Sequence, residues 1–189
     1  MTPVVIVLAS GRGERFLASG GAGSKLQARI GTQSVLQHTL EAVRASGLPC
    51  HLEQADHSGM GDAIAAGVRA TADAPAWLIL PADLPLLRPT TLLQVAGALA
   101  GQAAAAAPCY RGQRGHPVGF SGACGPALMA LRGEQGARAI LATQTVCEIE
   151  VDDPGCVTDI DTLDDLRRAR LLWHARAAVP APGHGYRGP

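Results

Sequence analysis

A glycine-rich segment with cationic side chains follows the first apolar run of the chain, residues 4–8. It reads Ser-Gly-Arg-Gly-Glu-Arg over residues 10–15, and Lys25 lies further along. In an α/β protein, a buried strand that opens into such a loop presents backbone N–H groups and positive charge to phosphates. Two common phosphate loops do not fit, because the dinucleotide fingerprint requires glycine at Phe16 and the Walker A loop requires glycine at Ser24. The segment therefore predicts a phosphate-binding loop of another kind; the alternative is a glycine-rich turn with surface cations.

A single carboxylate follows a second apolar run, residues 76–80. Asp83 stands in the sequence Pro-Ala-Asp-Leu-Pro, between Pro81 and Pro85. Proline restricts φ and removes a backbone donor, so we expect this side chain to be held rigidly at the end of a strand. Mg²⁺ binds proteins through one or two carboxylates plus substrate phosphates. Asp83 is therefore a candidate Mg²⁺ ligand; the alternative is a carboxylate that caps the following turn.

Two further carboxylates flank an apolar residue in Asp159-Ile160-Asp161. On an extended segment, side chains two residues apart point to the same side. Thr162 and Asp165 have the spacing of a capping box, which predicts that a helix begins here and accounts for Asp165. Asp161 precedes that cap, and we predict that it meets Asp83 across one metal ion.

Apolar runs of strand length alternate with segments of helical period. The predicted strands are 4–9, 50–54, 76–80, 103–109, 117–120 and 146–151, and the predicted helices are 34–45, 62–72, 90–100, 124–131, 135–142 and 162–175. This alternation predicts an α/β fold with βαβ crossovers and a mainly parallel, Rossmann-like sheet. Ligands of such sheets bind beyond the carboxyl ends of the strands. We expect one domain over residues 1–176 and a disordered tail rich in proline and glycine over 177–189.

The composition excludes several classes of function. The chain has 189 residues, of which 47% are hydrophobic and only 3% aromatic, so aromatic platforms for single-stranded nucleic acid are not expected. Its 16 basic and 16 acidic residues cancel, which leaves no overall field to attract nucleic acid or an anionic membrane. The five cysteines form no Cys-x-x-Cys pair, so neither a disulfide framework nor a zinc site is expected. Without a leader or a membrane-length apolar run, the sequence predicts a cytoplasmic protein.

Four motifs occur in the order found in the MobA-like nucleotidyltransferases, and through them the chain resembles that family. They are Leu-Ala-Ser-Gly-Arg-Gly-Glu-Arg-Phe (8–16), Pro-Ala-Asp-Leu-Pro (81–85), Gly-His-Pro (115–117) and Asp-Ile-Asp-Thr (159–162). With Gly-Glu-Gln-Gly-Ala-Arg at 133–138, the chain is most similar to one branch, the molybdenum cofactor cytidylyltransferases. The resemblance spans residues 3–172 and implies a three-layer α/β/α fold of nucleotide-diphospho-sugar transferase type.

The resemblance also implies a reaction. A pterin phosphate attacks the α-phosphorus of CTP, and pyrophosphate leaves. Arg15 and Lys25 correspond to the catalytic, phosphate-binding cations of the family. Asp83 and Asp161 correspond to the ligands of Mg²⁺, the only cofactor that the resemblance implies. Such catalysis depends mainly on positioning and electrostatic stabilisation.

Further site residues follow from the same resemblance. Those implied in nucleotide binding are Leu8, Ala9, Ser10, Gly11, Arg12, Gly13 and Asp62, held in part through backbone N–H groups. His116 and Arg138 correspond to the side of the cofactor substrate. The alternatives are a structural histidine and an arginine on a helix surface.

The chain departs from the family pattern at two places. Arg15 and Lys25 are ten residues apart, which is longer than the usual spacing in the family, and the small side chains of residues 17–23 predict a loop that is mobile before substrate binds. The connection between Leu48 and Gly59 leaves space for one strand, and the turn 59–63 lacks both serines of the family's Gly-Met-Ser-x-Ser motif. In the family, residues of that connection and of that turn usually help to read the nucleobase, so the preference for CTP rests on likeness to the branch alone.

The predicted partners are CTP or GTP, molybdopterin or molybdenum cofactor, and a molybdoenzyme client or chaperone, with no nucleic acid and no membrane. Three alternatives remain open at this point: a molybdenum cofactor guanylyltransferase, a sugar-nucleotide pyrophosphorylase, and a non-catalytic carrier or chaperone of the cofactor.

Overall fold

A computed structural model describes residues 2–11 and 13–178 of the chain. The strands are β1 Val4–Leu8, β2 Arg29–Ile30, β3 Gln33–Ser34, β4 Cys50–Glu53, β5 Ala76–Pro81, β6 Ala105–Tyr110, β7 Gln113–Arg114, β8 Val118–Ser121 and β9 Val146–Glu150. The helices are α1 Glu14–Ala18, α2 Val35–Ser46, α3 Met60–Ala70, α4 Pro89–Ala100, α5 Gly125–Met129, α6 Arg138–Ala142 and α7 Leu163–Ala178. Short 3-10 turns cover Lys25–Gln27, Gly122–Cys124 and Pro154–Val157.

Every predicted strand and helix corresponds to an observed element, with ends that differ by a few residues. The predicted helix 124–131 is divided between a 3-10 turn and α5. Besides the 3-10 turns, four elements were not predicted: α1, the two strands of the small β2–β3 hairpin, and β7. All of them are five residues or shorter, too short for a hydrophobic period to show in the sequence.

The main sheet has seven strands and is mostly parallel, as predicted. Along it lie β4, β1, β5, β8 and β6, with β7 and β9 also paired to β6. The β4–β1, β1–β5 and β6–β9 pairs are parallel, whereas β8 runs antiparallel to both β5 and β6. A parallel return after β6 would need a crossover of a dozen residues or so, and the short connection to β8 contains only the β7 hairpin. Because β1 pairs in parallel with both β4 and β5, the carboxyl ends of these three strands lie side by side.

Helices cover both faces of this sheet. Successive side chains of a strand point to opposite faces, and apolar side chains are buried on each. Val5 and Val7 face one hydrophobic core, built with α2, α4 and α7, while Ile6 faces the other, built with α3, α5 and α6. Close packing on the second face depends on Gly67 of α3, where a Cβ atom would lie 2.6 Å from Cγ2 of Ile6. The result is the predicted three-layer α/β/α arrangement.

At the carboxyl end of the described chain, α7 continues through Ala178. The prediction of a disordered tail from residue 177 is therefore wrong for residues 177 and 178, whose backbone is helical; residues 179–189 lie outside the described part. Within residues 2–11 and 13–178, no helix is both long enough and apolar enough to cross a bilayer.

Candidate active site

A cavity of about 660 Å³ opens at the carboxyl ends of the strands. Segments from across the sheet line it: residues 57–60 after β4, the loop after β1, Asp83 after β5, and residues 113–116. Val157, Asp159 and Asp161 complete the far side. The size is within the range of small-molecule sites, roughly 300–1,000 Å³. The cavity thus lies where ligands of open α/β sheets bind.

Residues of the β1 loop reach the cavity in different ways. Leu8, Ser10, Gly11 and Gly13 line it. The N–H of Ala9 instead donates to the carbonyl of Glu53 at 2.8 Å, so this donor is used within the sheet. Arg12, the remaining residue predicted here, lies outside the described residues.

The two carboxylates that the sequence predicted to meet share one ammonium group. Nζ of Lys25 lies 2.7 Å from Oδ2 of Asp83 and 2.9 Å from Oδ1 of Asp161. The Lys25 side chain is only 12% exposed. Arg15 reaches Asp161 from the solvent side, with NH1 at 2.8 Å from Oδ2, and its side chain is 80% exposed. These four predicted residues therefore form a single charged cluster.

The electrostatics of the cluster follow from these contacts. Burial by itself would lower the pKa of the Lys25 ammonium, but the charge of Asp83 and the hydrogen bonds to both carboxylates outweigh it, so the pKa is raised. The hydrogen bond from Lys25 lowers the pKa of Asp161 in spite of burial, and the charges of Lys25 and Arg15 act in the same sense. Burial, together with the charges of Asp83 and Asp161, raises the pKa of Asp159. Lys25 and Asp161 are thus held in their charged forms.

The residues between Arg15 and Lys25 fold back and bring Lys25 into this cluster. Helix α1 buries Phe16, whose carbonyl accepts a hydrogen bond from the N–H of Gly21 at 3.0 Å. Gly21 lies so close to the Phe16 ring that a Cβ atom would be 2.4 Å from Cδ1. The hydroxyl of Ser19 accepts a hydrogen bond from the N–H of Leu163, at the start of α7. The insertion, for which we expected a mobile loop, is tied to its own helix and to α7.

Asp83 and Asp161 are positioned by the chain around them. The carbonyl of Asp83 accepts a hydrogen bond from the N–H of Ile160 at 3.0 Å. Immediately after Asp161, the predicted box closes the start of α7: the N–H of Thr162 donates to Oδ2 of Asp165, and the N–H of Asp165 donates to the Thr162 hydroxyl. Both carboxylate-bearing segments are therefore fixed by main-chain contacts.

The residues present fit a divalent cation. Oδ1 of Asp83 is buried and has no hydrogen-bond partner among the described residues. An anionic oxygen in that condition suits a hard metal ion, since buried polar atoms are otherwise satisfied. No group of three or more His, Cys, Asp or Glu side chains within residues 2–11 and 13–178 is arranged to hold a metal. A cation here would take its remaining ligands from substrate phosphates, as Mg²⁺ commonly does.

On the side of the cavity away from β4, Gly115 and His116 approach the 3-10 turn at Cys156. The N–H of His116 donates to the carbonyl of Cys156 at 2.8 Å, and a Cβ atom on Gly115 would lie 2.3 Å from the same oxygen. Nδ1 of His116 is buried without a partner in the described part of the chain. Burial lowers the pKa of this imidazole and outweighs the charges of Asp83 and Asp159, which would raise it. His116 thus offers a neutral ring at the cavity wall.

Sequence reasoning missed two neighbours of His116, Gln113 and Arg114, which also line the cavity. Arg114 forms an ion pair with Glu148 on β9. A basic residue directly before the Gly-His-Pro motif was the available signal. Arg138, in contrast, is exposed at the start of α6 and is not among the residues lining the cavity.

Asp62 holds a turn in place beside the cavity. Its Oδ2 accepts a hydrogen bond from the N–H of Gly133 at 2.9 Å, and the N–H of Gly61 donates to the carbonyl of Gly133 at 2.8 Å. Cβ atoms on Gly59 and Gly61 would lie 2.3 Å from the carbonyl carbon of Gly133 and 2.4 Å from the carbonyl oxygen of Gln135. The glycine at position 61 is thus required by close packing. Asp62 lines a smaller polar pocket next to the main one.

His57 lies in the loop before α3, and its side chain turns inward. Its Nε2 is 3.1 Å from Oε1 of Glu53, a buried carboxylate that also accepts a hydrogen bond from the N–H of Ala55. His57, Ser58 and Met60 line the cavity at its β4 end. No spacing pattern in the sequence pointed to this pair.

Comparison with protein families gives one match that covers most of the chain. Residues 5–148 match the model of the MobA-like NTP transferase domain. The chain belongs to this family. Its activity class is therefore nucleotidyl transfer, in agreement with the resemblance seen in the motifs. No curated protein matches the sequence.

Solved structures share the fold at low identity. Rv0371c from Mycobacterium tuberculosis, solved as a complex with manganese, is 20% identical, with a TM-score of 0.70 over 89% of this chain and 97% of that one. A nucleotidyl transferase from Methanothermobacter is 18% identical, with a TM-score of 0.73 over 93% and 99%. Molybdopterin-guanine dinucleotide biosynthesis protein A from Archaeoglobus fulgidus is 18% identical, with a TM-score of 0.66 over 91% and 99%. The manganese complex is consistent with a divalent metal in proteins of this fold.

Proposed function

We propose that this member of the family transfers CMP from CTP to molybdopterin or molybdenum cofactor and releases pyrophosphate in the cytoplasm. The observation that carries the proposal is the convergence of Lys25 and Arg15 with Asp83 and Asp161 on the wall of one cavity. Two cations and two carboxylates at this place suit a reaction in which charge is redistributed along a triphosphate. A carrier that only holds its cargo has no need of such a cluster.

Each side chain has a task in this reaction. Gly11 and Gly13 allow the phosphates to approach the main chain closely. Arg15, largely exposed and held by a single carboxylate, is free to turn to the phosphates, and Lys25 lies directly behind it. Both cations stabilise the charge that builds up on the departing pyrophosphate.

Asp83, with Asp161, would hold the divalent cation, which we propose is Mg²⁺. When bound, the metal neutralises phosphate charge and aligns the reacting groups. The unpartnered Oδ1 of Asp83 supports this assignment. The acceptor is expected at Gly115, His116 and Arg114, because these residues line the cavity on the side away from β4. His116 would meet the acceptor as a neutral hydrogen-bonding ring.

The nucleobase is expected at the β4 end, beside Ser10 and the segment 57–60. CTP is proposed because the motifs resemble the cytidylyl branch. The name of the Archaeoglobus neighbour makes guanylyl transfer to the same acceptor the competing assignment. A client molybdoenzyme would receive the product.

One experiment tests acceptor and base together. The purified protein is incubated with CTP, GTP, ATP or UTP and Mg²⁺, with and without molybdopterin, and pyrophosphate is followed. We expect release with CTP only when molybdopterin is present, and release at least about 100-fold slower in the Asp83→Asn variant. Release with GTP and molybdopterin, but not with CTP and molybdopterin, would assign guanylyl transfer in place of cytidylyl transfer. Absence of release with every triphosphate, while the cofactor still binds, would indicate a carrier.

A further inference from the structure

We infer that Lys25 has a second task when no ligand is bound: its ammonium occupies the carboxylate site in place of the divalent cation, and gives up that position when phosphates arrive. Metal and triphosphate would then load together rather than one by one. The inference deepens the proposed function and rests on it.

The contacts of Lys25 define this position. Its Nζ lies within 3 Å of an oxygen from each of the two carboxylates that the metal would use, at 2.7 and 2.9 Å. The side chains of Lys25 and Asp83 are 12% and 14% exposed, so little solvent screens the pair. A residue whose only role was to bind phosphate would have no reason to bridge both of the candidate metal ligands.

The charges in the cluster explain why the ammonium stays there. Asp83 and Asp161 together carry two negative charges, and Lys25 and Arg15 carry two positive ones, so the cluster is neutral without any ligand. Adding a divalent cation alone would leave an excess of two positive charges beside Lys25 and Asp83, whose side chains are mostly shielded from water. A triphosphate supplies new partners for both cations, and the carboxylates are then free to hold the metal.

The surroundings allow Lys25 to change partners without refolding. Its aliphatic stem lies against Gly13 of the phosphate loop, where a Cβ atom would be 3.6 Å from Cγ of Lys25. Gly13 has a positive φ of 63°, which favours glycine at that position. The ammonium therefore needs only a side-chain rotation to pass from the carboxylates to phosphates held by the loop. Oδ1 of Asp83, which is buried and has no hydrogen-bond partner among the described residues, remains as a ligand for the cation once the ammonium has moved.

The test measures binding of Mn²⁺ alone to the full-length protein by electron paramagnetic resonance. In Lys25→Met, which keeps the length of the stem but not the charge, Mn²⁺ should bind about 5-fold or more tightly than in the wild type. The matched control, Arg44→Met, removes one positive charge from an exposed i, i+3 pair on α2 and should leave Mn²⁺ affinity unchanged. Equal or weaker Mn²⁺ binding by Lys25→Met, or binding by neither protein, would overturn the inference.

A second measurement uses pyrophosphate as the phosphate probe. Pyrophosphate should raise the Mn²⁺ affinity of the wild type by a larger factor than that of Lys25→Met, because only the wild type has an ammonium to move. The same factor must appear when Mn²⁺ is added first and pyrophosphate is titrated. Equal factors in the two proteins would contradict the exchange.

Lys25→Met leaves two carboxylates without their shared cation, so its stability has to be followed as well. Mn²⁺ should raise the Tm of this variant more than that of the wild type, because the stabilisation of the native state by a ligand, RT ln(1 + [L]/Kd), increases with affinity. If Lys25→Met does not fold, Lys25→Gln, which retains hydrogen bonds to the carboxylates, is measured in its place with the same expected result.

These outcomes separate the inference from the proposed function. If no triphosphate yields pyrophosphate but Lys25→Met binds Mn²⁺ more tightly, the assigned reaction fails and the ammonium exchange stands. If CTP and molybdopterin yield pyrophosphate but Mn²⁺ affinity does not change in Lys25→Met, the reaction stands and the exchange fails.

Discussion

The backbone N–H of Ile160 donates a hydrogen bond of 3.0 Å to the carbonyl of Asp83. This contact joins the end of a central strand to a segment far away in the sequence, and the residue after Ile160 is Asp161. The side chain of Ile160 is fully buried, so burial in the core fixes this segment in addition to the hydrogen bond. Two carboxylates from distant parts of the chain are thereby brought to one ammonium, and this arrangement underlies the predictions that follow.

Asp83→Asn should lower the rate of pyrophosphate release by about 100-fold or more, because it removes the charge that would hold the metal. The amide is nearly isosteric with the carboxylate, so the far-ultraviolet circular dichroism spectrum should not change. Asp164→Asn, which removes a charge from the exposed pair with Arg167 on α7, is the control and should retain activity. Turnover close to that of the wild type in Asp83→Asn would refute the metal assignment.

Lys25→Ala should lower kcat more than it raises KM for the triphosphate. The physical reason is that the ammonium stabilises negative charge that builds up mainly in the transition state, when pyrophosphate departs. We therefore expect a loss of about 100-fold in kcat. Steady-state kinetics over a range of CTP concentrations measures both constants. Arg44→Ala provides the comparison on a remote helix. An unchanged kcat would assign the task to another cation, with Arg12 the first to test.

Gly61→Ala should destabilise the protein by about 1–3 kcal/mol, because its Cβ atom would lie 2.4 Å from the carbonyl oxygen of Gln135. Gly97→Ala is the matched change on α4, where no atom outside the adjoining residues and the helix's own backbone lies within 4 Å of the new Cβ atom. That variant should gain about 0.5–1 kcal/mol, as expected for alanine in a helix interior. Urea unfolding of both proteins measures the difference, and equal free energies of unfolding would show that the turn at 132–136 yields easily.

Glu53 and its hydrogen-bond partners, His57, His51 and the Ala55 N–H, should make the free energy of unfolding depend on pH in the acid range. Burial alone would raise the pKa of Glu53, but hydrogen bonds from His57, the Ala55 N–H and His51 outweigh it, so the pKa is lowered in the folded protein. A carboxyl with a lowered folded pKa stabilises the protein above its unfolded pKa, about 4.3. That contribution is lost as the pH falls through the folded pKa.

The measurement for this cluster is the free energy of unfolding in urea between about pH 6 and pH 3. In Glu53→Gln its decrease with falling pH should be smaller than in the wild type. Glu41→Gln alters an exposed helix pair with Arg44 and should follow the wild-type curve. Parallel curves for Glu53→Gln and the wild type would show that His57 is not held by an ionised carboxylate.

The motifs in the sequence were enough to predict the main sheet, its longer helices and the meeting of Asp83 and Asp161, but not that Lys25 would lie between these two carboxylates. Asp83 directly follows an apolar strand, so the topology of a parallel sheet brings it to the edge where ligands bind. The inward turn of His57 was not predictable, because it depends on a contact with Glu53 that no periodic pattern encodes. The folded insertion after Arg15 was missed for a related reason: small residues suggested mobility, whereas Gly21 is small because Phe16 lies against it.

Gly59, just before α3, and Gly61, in its first turn, pack directly on the backbone of the turn at residues 132–136, with no space left for side chains between them. The two segments are far apart in the sequence, yet neither can accept a larger residue unless the other retreats. A substitution at the start of α3 should therefore occur together with a compensating substitution in that turn. An attempt to graft the serine-containing helix start of related enzymes onto this chain would have to transplant both pieces at once.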